Sequence, residues 1–488
     1  MTSGRTEMDR DAVRHAGDPR PHVVIIGGGF AGIYAARALA QAPVRITLVD
    51  RRNHHLFQPM LYQVATAALS PGDIASPIRG LLRKQSNAEV VLAEVTAIRP
   101  DAREVVTSDG SVLHYDYLVC APGARHSYFG HDEWEPLAPG LKSVEDATEI
   151  RRRILLAFER AERAVDPVER AALLTFVIVG AGPTGVELAG TLAEIRKYAL
   201  NEDFRHIDPT EARVLLLEGG PRVLAAYPPD LQAKALATLE HLGVEVRLDT
   251  LVTDVEKNYV VAGGTTIPTQ TVIWAAGNVA SPILKSLGAP LDRAGRVIVA
   301  PDCTVPGRPE IFVLGDAALY RERDPKTGQE TPLPGVAPVA IQMGRYAGRI
   351  IREEVKGLSR RPLGEHTGEL AARIPFHMSP ESRSPFRYWN KGQLAVIGRG
   401  QAVADIWRFH FAGLLAWLVW VFVHIFFLIG FRNRAIVLFE WAYSYFTYKR
   451  GAWLITGETG EYRALQAAPA VPAPRVATDV LGGAPRAS

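Results

Sequence analysis

A strand-turn-helix pattern with three glycines occurs twice in this chain, and it restricts the fold more than any other feature. The first copy is VVIIGGGFAGIYAARAL from Val23, and the second is FVIVGAGPTGVELAGTL from Phe176. In such a unit the first glycine makes a tight turn, the second lets the backbone approach a pyrophosphate, and the third lets the helix pack on the strand. The sequence therefore predicts an α/β fold with two Rossmann-like dinucleotide-binding domains.

Both turns would hold a dinucleotide at the start of a helix, because the N-terminus of a helix stabilises phosphates. The candidate residues of the first turn are Gly27, Gly28, Gly29, Phe30, Ala31 and Gly32. The candidate residues of the second turn are Gly180, Gly182, Thr184 and Gly185.

An acidic residue ends the second strand of each copy, where a carboxylate accepts hydrogen bonds from ribose hydroxyls. RITLVD ends at Asp50 and RVLLLE ends at Glu218. Glu218 lies further from its turn because a polar insertion, 194–211, lengthens the crossover, and we expect this insertion to be helical. Glu218 would also repel a ribose 2′-phosphate, which favours NADH over NADPH, although the nearby Arg222 weakens that preference.

The similarity of the two copies extends beyond the turns. YDYLVCAPGA and TQTVIWAAGN are both apolar strands that run into a glycine turn, at Gly123 and Gly277. An internal duplication of this kind predicts two similar domains. A further strand, EIFVLGDAA, ends at Asp316 and has no counterpart in the second copy.

Together these motifs resemble the type II NADH dehydrogenases, which are single-chain NADH:quinone oxidoreductases of the two-dinucleotide-binding flavoprotein superfamily. The narrower resemblance is carried by Asn53–Pro71, Pro334–Ala347 and Tyr388–Ile406, and it runs from about Val23 to Gly451. It implies that the first turn binds FAD and the second binds NADH as cosubstrate. Electrons would then pass through the flavin to a membrane quinone without proton pumping, and the resemblance is compatible with a homodimer.

The resemblance also implies roles for residues outside the turns. Asp316 would bond the ribityl chain of FAD, and Gln58 and Tyr62 would lie on the flavin side of their loop. The further expected contacts of the flavin cofactor are Arg51, Val95 and Ala121.

Three residues are candidates for catalysis on the same basis. The family places Glu187 near the nicotinamide and the quinone, where it would handle protons; otherwise it is a carboxylate stabilised by a helix dipole. Lys391 would stabilise reduced flavin as a nearby cation, or is simply a solvated lysine of a turn. Gln342 keeps the second of two family glutamines at the quinone site, but Pro338 replaces the first. Proline is tolerated in a first helical turn, so the helix survives while the paired contact is lost and quinone preference stays open.

Composition narrows the alternatives. The net charge of +3 is too small to favour nucleic acid, and the chain has two cysteines, Cys120 and Cys303, which predict no disulfide framework and fit a reducing compartment. Disulfide reductases need a cysteine pair near the flavin, and sulfide:quinone reductases need cysteines for polysulfide chemistry. A relative of the latter and a redox-responsive scaffold that binds FAD and NADH remain the alternatives. No metal is expected, since the adjacent His54 and His55 have poor ligand spacing.

The C-terminal region differs from the rest. FAGLLAWLVWVFVHIFFLIGF, residues 411–431, contains His424 as its only strongly polar side chain. As one helix it would cover about 30 Å, the thickness of a hydrocarbon core, so it predicts membrane contact. In the next segment Glu440, Ser444 and Thr447 form a narrow polar stripe typical of an interfacial helix. The positive-inside bias argues against a true span, and we therefore expect attachment to one leaflet from the cytoplasmic side of the cell membrane, with His424 neutral.

The expected organisation follows from these features. The predicted parts are a disordered N-terminus (1–20), the FAD-binding domain in two pieces (21–141 and 278–374), the NADH-binding domain (142–277), a membrane-attachment region (375–460) and a disordered tail (461–488). The N-terminus lacks the apolar core of a secretory signal. A charged helical segment from Val144 to about Arg170 would join the two domains with its charges in solvent.

Overall fold

The structure is a computed structural model that describes residues 18–200, 203–324, 326–358, 382–428, 434–439, 441–442 and 453–456. The strands before residue 143 are β1 (His22–Ile26), β2 (Arg45–Asp50), β3 (His54–Leu56), β4 (Ala75–Pro77), β5 (Ala88–Leu92), β6 (Val95–Arg99), β7 (Glu104–Thr107), β8 (Val112–His114), β9 (Tyr117–Cys120) and β10 (Ala124–His126). The helices of the same part are α1 (Phe30–Ala38), α2 (Leu61–Ala65), α3 (Pro71–Ile74) and α4 (Ile78–Leu82).

The middle of the chain repeats this alternation. Its elements are α5 (Val144–Arg163), α6 (Pro167–Leu173), β11 (Thr175–Val179), α7 (Pro183–Glu194), β12 (Arg213–Leu217), α8 (Pro229–His241), β13 (Val244–Arg247), β14 (Val252–Glu256), β15 (Tyr259–Ala262), β16 (Thr265–Pro268), β17 (Thr271–Trp274) and β18 (Asn278–Ala280). The later elements are β19 (Val297–Ile298), β20 (Thr304–Val305), β21 (Arg308–Val313), β22 (Ala318–Leu319), β23 (Arg321–Arg323), β24 (Glu330–Pro332), α9 (Ala337–Leu358), β25 (Gln393–Gly398), β26 (Gln401–Ile406), β27 (Phe409–Gly413) and α10 (Leu414–Phe427).

Two mainly parallel sheets form the two similar cores. The first has the order β20-β21-β9-β1-β2-β5 and the second the order β13-β12-β11-β17. β1 and β11 are buried along their whole length, as is usual for central strands of parallel sheets with both faces covered. Each sheet is accompanied by an antiparallel meander, β6-β7-β8 or β14-β15-β16. The predicted α/β fold with two Rossmann-like units is therefore confirmed.

The two units are interleaved in sequence. β20 and β21 follow the second unit along the chain but pair within the first sheet, where β21 runs parallel to β9. The chain crosses between the units through β10 and β18, which pair antiparallel to each other. β10 follows the turn after β9, and β18 follows the turn after β17. Their pairing therefore brings both turns to the junction of the two units.

The crossover helix and the insertion differ in detail from the predictions. α5 begins with a capping box between Ser143 and Asp146, but the expectation that all its charges are solvated is wrong, because Arg151 and Arg152 are buried. In the described residues of the insertion 194–211, a π-helical turn at Ile195–Ala199 and a 3-10 turn at Pro209–Glu211 are helical, whereas residues 203–208 are not.

The C-terminal part of the chain covers the helix of each glycine turn. α9 packs along α1, where a Cβ on Gly344 would lie 2.3 Å from the Ala31 carbonyl oxygen. The β25-β26-β27 sheet packs on α7, where a Cβ on Gly190 would lie 1.5 Å from the Ile397 carbonyl oxygen. Glycine at these positions permits the close contacts, so the C-terminal elements belong to the folded core.

The apolar stretch 411–431 is not one helix, which corrects the prediction. Its first residues complete β27, and α10 contains 14 residues, or a length of about 21 Å. Pairing of β27 with β26 takes residues that would otherwise extend the helix. No helix in the described parts of the chain has both the length and the apolar character needed to cross a bilayer. The predicted polar stripe at Glu440, Ser444 and Thr447 lies outside the described residues. So do residues 1–17 of the predicted disordered N-terminus (1–20) and the whole predicted disordered tail (461–488).

Candidate active site

The glycines of the first turn have two distinct steric roles. Gly27 has φ +97°, and a Cβ there would lie 2.2 Å from the Ala121 carbonyl oxygen. A Cβ on Gly32 would lie 1.8 Å from the Gly27 carbonyl oxygen. A Cβ on Gly29, by contrast, would meet no heavy atom of the described residues within 4 Å, apart from its chain neighbours. Gly27 and Gly32 are thus required by the fold itself, and Gly29 leaves the open approach that a pyrophosphate needs.

The second turn repeats this arrangement. Gly180 has φ +99°, and a Cβ there would lie 2.8 Å from the Ala276 amide nitrogen. A Cβ on Gly185 would lie 1.8 Å from the Gly180 carbonyl oxygen, and one on Gly182 would have open space within the described structure. Both turns therefore fit a bound dinucleotide phosphate, with Thr184 half-buried in the first turn of α7.

The two strand-ending acids also hold their turns in the same way. The Asp50 carboxylate accepts hydrogen bonds from the Gly28 amide at 2.6 Å and the Arg52 amide at 2.7 Å. The Glu218 carboxylate accepts from the Ala181 amide at 2.7 Å and the Gly220 amide at 2.8 Å. Each oxygen retains acceptor capacity for a ribose hydroxyl. The sequence predicted the ribose contact but not this second role of fixing the glycine loop.

A histidine side chain contacts the backbone of the first turn and stabilises it, and the sequence did not predict this contact. The Nδ1 atom of His55 lies 3.0 Å from the Gly28 carbonyl oxygen, and its ring packs edge-on against Phe30 at 5.0 Å. Burial lowers the pKa of His55 to about 4, so the ring is neutral and can donate through Nδ1. The adjacent Gln58 is exposed and Tyr62 is buried.

The remaining candidates for the first site gather at the carboxyl end of its sheet. Gly123 and Asp316 follow the neighbouring strands β9 and β21, and a Cβ on Gly123 would contact nothing within 4 Å in the described structure. The Asp316 carboxylate lies 3.1 Å from the Cβ position of Gly335. Of the other candidates, Ala121 is buried, Val95 is half-buried and Arg51 is exposed.

Gln342 is bound to the backbone of a neighbouring loop. Its Nε2 donates to the Trp389 carbonyl oxygen and its Oε1 accepts from the Trp389 amide, both at 3.0 Å. The Lys391 ammonium, two residues further on, lies 4.9 Å from the Trp389 ring centre and 5.6 Å from that of Phe427. Pro338 is accommodated in the first turn of α9. Gln342 thus fixes the loop that carries Lys391, which the sequence did not reveal.

Glu187 is enclosed between α7 and the C-terminal sheet. Its side chain is 9% exposed, and burial raises its pKa well above the usual range despite a hydrogen bond from the Val396 backbone. The buried Tyr227 is an electrostatic neighbour. Burial therefore favours the protonated form of this carboxyl group, which makes it a candidate proton donor.

Helix α10 has one buried and one exposed face. Ala416 and Trp420 are buried, and His424 stacks on Trp420 with a centroid distance of 4.0 Å. Burial lowers the pKa of His424 to about 4, in agreement with the expectation that it is neutral. The opposite face exposes large apolar side chains at helical spacing, namely Leu414, Leu415, Leu418, Phe422 and Phe426. We call these five residues the apolar stripe.

The inner face of the C-terminus also contacts the loop near the first turn. The ring of His424 lies 6.2 Å from that of Phe57. The Trp441 indole donates to the Gln63 amide oxygen at 2.7 Å, and Gln63 in turn donates to the Tyr62 hydroxyl at 3.0 Å. The inner face of α10 is therefore connected to the first turn through Phe57, whose ring centre lies 5.8 Å from that of Phe30.

The two cysteines are unsuited to thiol chemistry. Cys120 and Cys303 are fully buried, and burial raises the pKa of both thiols. The reactive form of a cysteine is the thiolate. Neither residue therefore supports the polysulfide chemistry of a sulfide:quinone reductase.

Known proteins share these features. Residues 21–344 match the family described as pyridine nucleotide-disulphide oxidoreductase, and residues 390–449 match the NDH2 C-terminal domain. Two type II NADH:quinone oxidoreductases of Mycobacterium tuberculosis, NdhA and Ndh, are 44% and 43% identical to this chain. The match covers 90% of this chain in both cases, and 90% of NdhA and 91% of Ndh.

Solved structures share the fold. NDH2 from Plasmodium falciparum in complex with NADH has a TM-score of 0.75 at 19% identity, covering 89% of this chain and all of that one. The sulfide:quinone oxidoreductase of Aquifex aeolicus has a TM-score of 0.61 at 20% identity, covering 85% of this chain and 92% of that one. The identities of 44% and 43% over 90% of the chain, together with the match to the NDH2 C-terminal domain, show that the chain belongs to the type II NADH:quinone oxidoreductases.

Proposed function

We propose that this protein is a flavoprotein of a respiratory chain that oxidises NADH and reduces a membrane quinone, with FAD as its bound cofactor. The observation that carries the proposal is the duplicated turn, in which Gly29 and Gly182 both leave open space beside a helix N-terminus. Two such sites fit one resident cofactor and one exchanging cosubstrate. The 44% identity to a type II NADH:quinone oxidoreductase supports the same activity.

The first turn would hold FAD. Its assignment is supported by Asp316, which extends the site beyond the turn and has no counterpart in the second unit, and by the open turn at Gly123. When bound, FAD supplies the hydride and electron chemistry that joins the two substrates. Residues 21–141 and 278–374 would form this domain, and 142–277 would form the NADH-binding domain.

Three residues would position and supply charge on the quinone side. Gln342 holds the backbone of Trp389 at a fixed place, and thereby sets the position of Lys391, whose cation would stabilise negative charge nearby. Reduction of a quinone by NADH also consumes one proton from the medium. Glu187 is a suitable donor because burial raises the pKa of its carboxyl group and so favours the protonated form.

The apolar stripe would attach the protein to one leaflet from the cytoplasmic side. Its five side chains are all more than half exposed, and exposed apolar patches of this kind mark interaction with a membrane or a partner. The exposed Leu438 and Phe439 of the following helical residues 434–439 add to this surface. A quinone dissolved in lipid would reach the enzyme at this side.

Turnover with defined substrates tests the activity. Purified protein in liposomes with NADH and a short-chain quinone should oxidise NADH at a rate that depends on the quinone. Replacing NADH with sulfide tests the sulfide:quinone alternative, and flavin and NADH binding without turnover would favour a scaffold. Gly182→Val should abolish the activity while the protein keeps its flavin.

Substitutions at the surface test the attachment better than truncation. A chain stopped after Gly400 would lose β27 and also β26, which pairs with β25 and buries Ala402, Val403 and Ala404, so its behaviour would report folding as well as binding. Leu418→Ser, Phe422→Ser and Phe426→Ser combined should move the protein from the membrane to the soluble fraction. Val165→Ser, Val168→Ser and Leu92→Ser form the matched control, because these side chains are equally exposed elsewhere. Full membrane sedimentation of the first variant would refute the assigned surface.

A further inference from the structure

An exposed aromatic side chain covers the turn of the second unit that corresponds to an open turn in the first. A Cβ on Gly277 would lie 2.8 Å from the Cζ atom of Phe129 and 2.9 Å from the Ser127 carbonyl oxygen. The corresponding position in the first unit, Gly123, has no described heavy atom within 4 Å. The two units thus have similar turns but differ in what covers them.

The conformation of Phe129 is unusual for a bulky residue. Its φ is +55° and its side chain is 68% exposed. A bulky residue in the left-handed region is strained, and such strain persists only where the surroundings impose it. Within the protein the ring lies against Gly277 and has its centre 6.4 Å from that of the Trp274 ring, while most of its surface stays in water. The exposed part of the ring is therefore available for contact with a ligand.

The loop beneath Phe129 is held rigidly. The Trp274 indole donates to the Ser127 carbonyl oxygen at 2.9 Å, and the Tyr128 hydroxyl donates to the Ala138 carbonyl oxygen at 2.8 Å. The rings of Tyr128 and Trp134 pack against Trp274 at 5.1 and 5.6 Å. The loop therefore presents Phe129 in a fixed position above Gly277.

The order of the strands shows which half of a dinucleotide this position would face. Glu218, at the end of β12, marks the adenosine ribose in a site of this type. The turn that binds the pyrophosphate begins at Gly180, after β11, and Gly277 follows β17 on the other side of β11. A dinucleotide lying across the carboxyl edge of this sheet would place its nicotinamide half at β17.

We propose that Phe129 forms a wall of the NADH site and packs against the nicotinamide-ribose half of the bound nucleotide. This inference rests on the assignment of NADH to the second turn. A rigid, exposed ring beside a planar ligand gains apolar contact area at little entropic cost. Phe129 is thus a positioning residue of the hydride donor.

Nucleotide binding to the oxidised, flavin-loaded enzyme tests this role without turnover. We expect Phe129→Ala to weaken binding of NAD⁺, measured by calorimetry, by roughly three- to tenfold, and to leave AMP, which lacks the nicotinamide half, unaffected. Phe129→Tyr should restore NAD⁺ affinity. The KM for NADH should rise with Phe129→Ala while flavin content and thermal midpoint stay as in wild type.

Leu251→Ala is the matched control at the opposite end of the site. Leu251 is 67% exposed, and its Cδ1 lies 3.5 Å from the Cβ position of Gly219, next to Glu218. This variant should leave the ratio of NAD⁺ to AMP affinity unchanged. Equal effects of Phe129→Ala on both ligands, no effect, or tighter NAD⁺ binding would overturn the role of Phe129. Wild-type protein that binds neither nucleotide would overturn the second site itself, and the proposed function with it.

Discussion

The two glycine-turn units are almost identical at the turn and differ in what surrounds it. In both, the first and third glycines are enforced by backbone contacts, the middle glycine is open, and a carboxylate fixes the loop. The first unit adds β21 with Asp316 and the helix α9, whereas the second has Phe129 over its Gly277 turn and the β25-β26-β27 sheet on α7. In the proposed assignment the shared turn binds a dinucleotide in each unit, and the covering elements distinguish the resident cofactor from the exchanging cosubstrate.

Equivalent positions of α1 and α7 illustrate this difference between the two units. Two residues after the third glycine, α1 carries Tyr34 and α7 carries Glu187. Tyr34 is half-buried under Arg345 of α9, whose guanidinium lies 4.9 Å from its ring centre. Glu187 is buried against β25. The duplicated helix therefore contributes packing in one unit and a titratable group in the other.

The largest effects are expected when the open glycine of each unit is replaced by valine. Gly29→Val should remove most of the bound FAD, because the side chain would occupy the path of the pyrophosphate, while its Cβ would meet no heavy atom of the described residues within 4 Å apart from its chain neighbours. Gly182→Val should keep FAD but lose reduction of the flavin by NADH, by about a hundredfold or more, as expected when a pyrophosphate contact is blocked. Flavin absorbance and stopped-flow bleaching under anaerobic conditions measure the two effects.

A third variant separates binding from folding. Gly32→Val would place its side chain against the Gly27 carbonyl oxygen, 1.8 Å from the Cβ position, so we expect loss of the fold and not only of the flavin. Circular dichroism of Gly29→Val should stay native. If Gly182→Val lost FAD and Gly29→Val retained it, the order of the two sites would be reversed.

Most of the turn chemistry could be predicted from the sequence because it is local. In each copy the glycines and the strand-ending acid, Asp50 or Glu218, lie within one strand-turn-helix-strand unit, and their spacing reflects the geometry of that unit. Phe129 could not be predicted, because the pairing of β10 with β18 brings it to Gly277 from 148 residues away. The contact of Gln342 with Trp389, across 47 residues, is invisible for the same reason.

The C-terminal helix shows the opposite limit, where local composition was misleading. The apolar run predicted a helix from Phe411, but hydrogen bonding of β27 to β26 begins before it and ends only at Gly413. Tertiary pairing outweighs local propensity here. One face of the predicted lipid-facing helix is also internal, since Ala416 and Trp420 pack in the core.

Gln342 variants test whether quinone reduction depends on the first unit alone. Gln342→Ala should slow quinone reduction by roughly ten- to a hundredfold, because the loop that carries Lys391 loses both hydrogen bonds. Reduction of the flavin by NADH, which needs the second unit, should change little. Gln342→Glu keeps the acceptor for the Trp389 amide but places a carboxylate oxygen against the Trp389 carbonyl oxygen. We therefore expect its rate of quinone reduction to lie between those of wild type and Gln342→Ala, or to equal that of Gln342→Ala. Parallel losses in both half-reactions would instead indicate a general role of Gln342 in the fold.

A smaller effect is expected at the acid of the second unit. Glu218→Ser should reduce the preference for NADH over NADPH by about tenfold, because a 2′-phosphate no longer meets a carboxylate. Flavin content should not change, since Asp50 serves the first unit. The ratio of kcat/KM for the two nucleotides measures the preference. Glu218→Gln removes the charge but keeps one acceptor oxygen for the Ala181 or the Gly220 amide, and so separates the effect of the charge from the loss of both hydrogen bonds. Equal use of both nucleotides by the wild type would mean that the exposed Arg222 determines the choice.

The smallest effect concerns stability and follows from the burial of Glu187. Its pKa is raised in the folded protein above the ordinary value of 4.5, so the folded state binds a proton that the unfolded state releases. The contribution of this bound proton to the free energy of unfolding of the wild type is therefore fully present below pH 4.5, and it is lost as the pH rises through the folded pKa. Glu187→Gln removes this dependence, and its free energy of unfolding should exceed that of wild type increasingly above pH 5, by up to about 1.4 kcal/mol per pH unit. Thermal midpoints of both proteins between pH 5 and 8 test this, with an expected difference of a few degrees at the upper end. A difference that stays constant with pH would mean that Glu187 is ionised in the folded protein, and its role as a proton donor would be excluded.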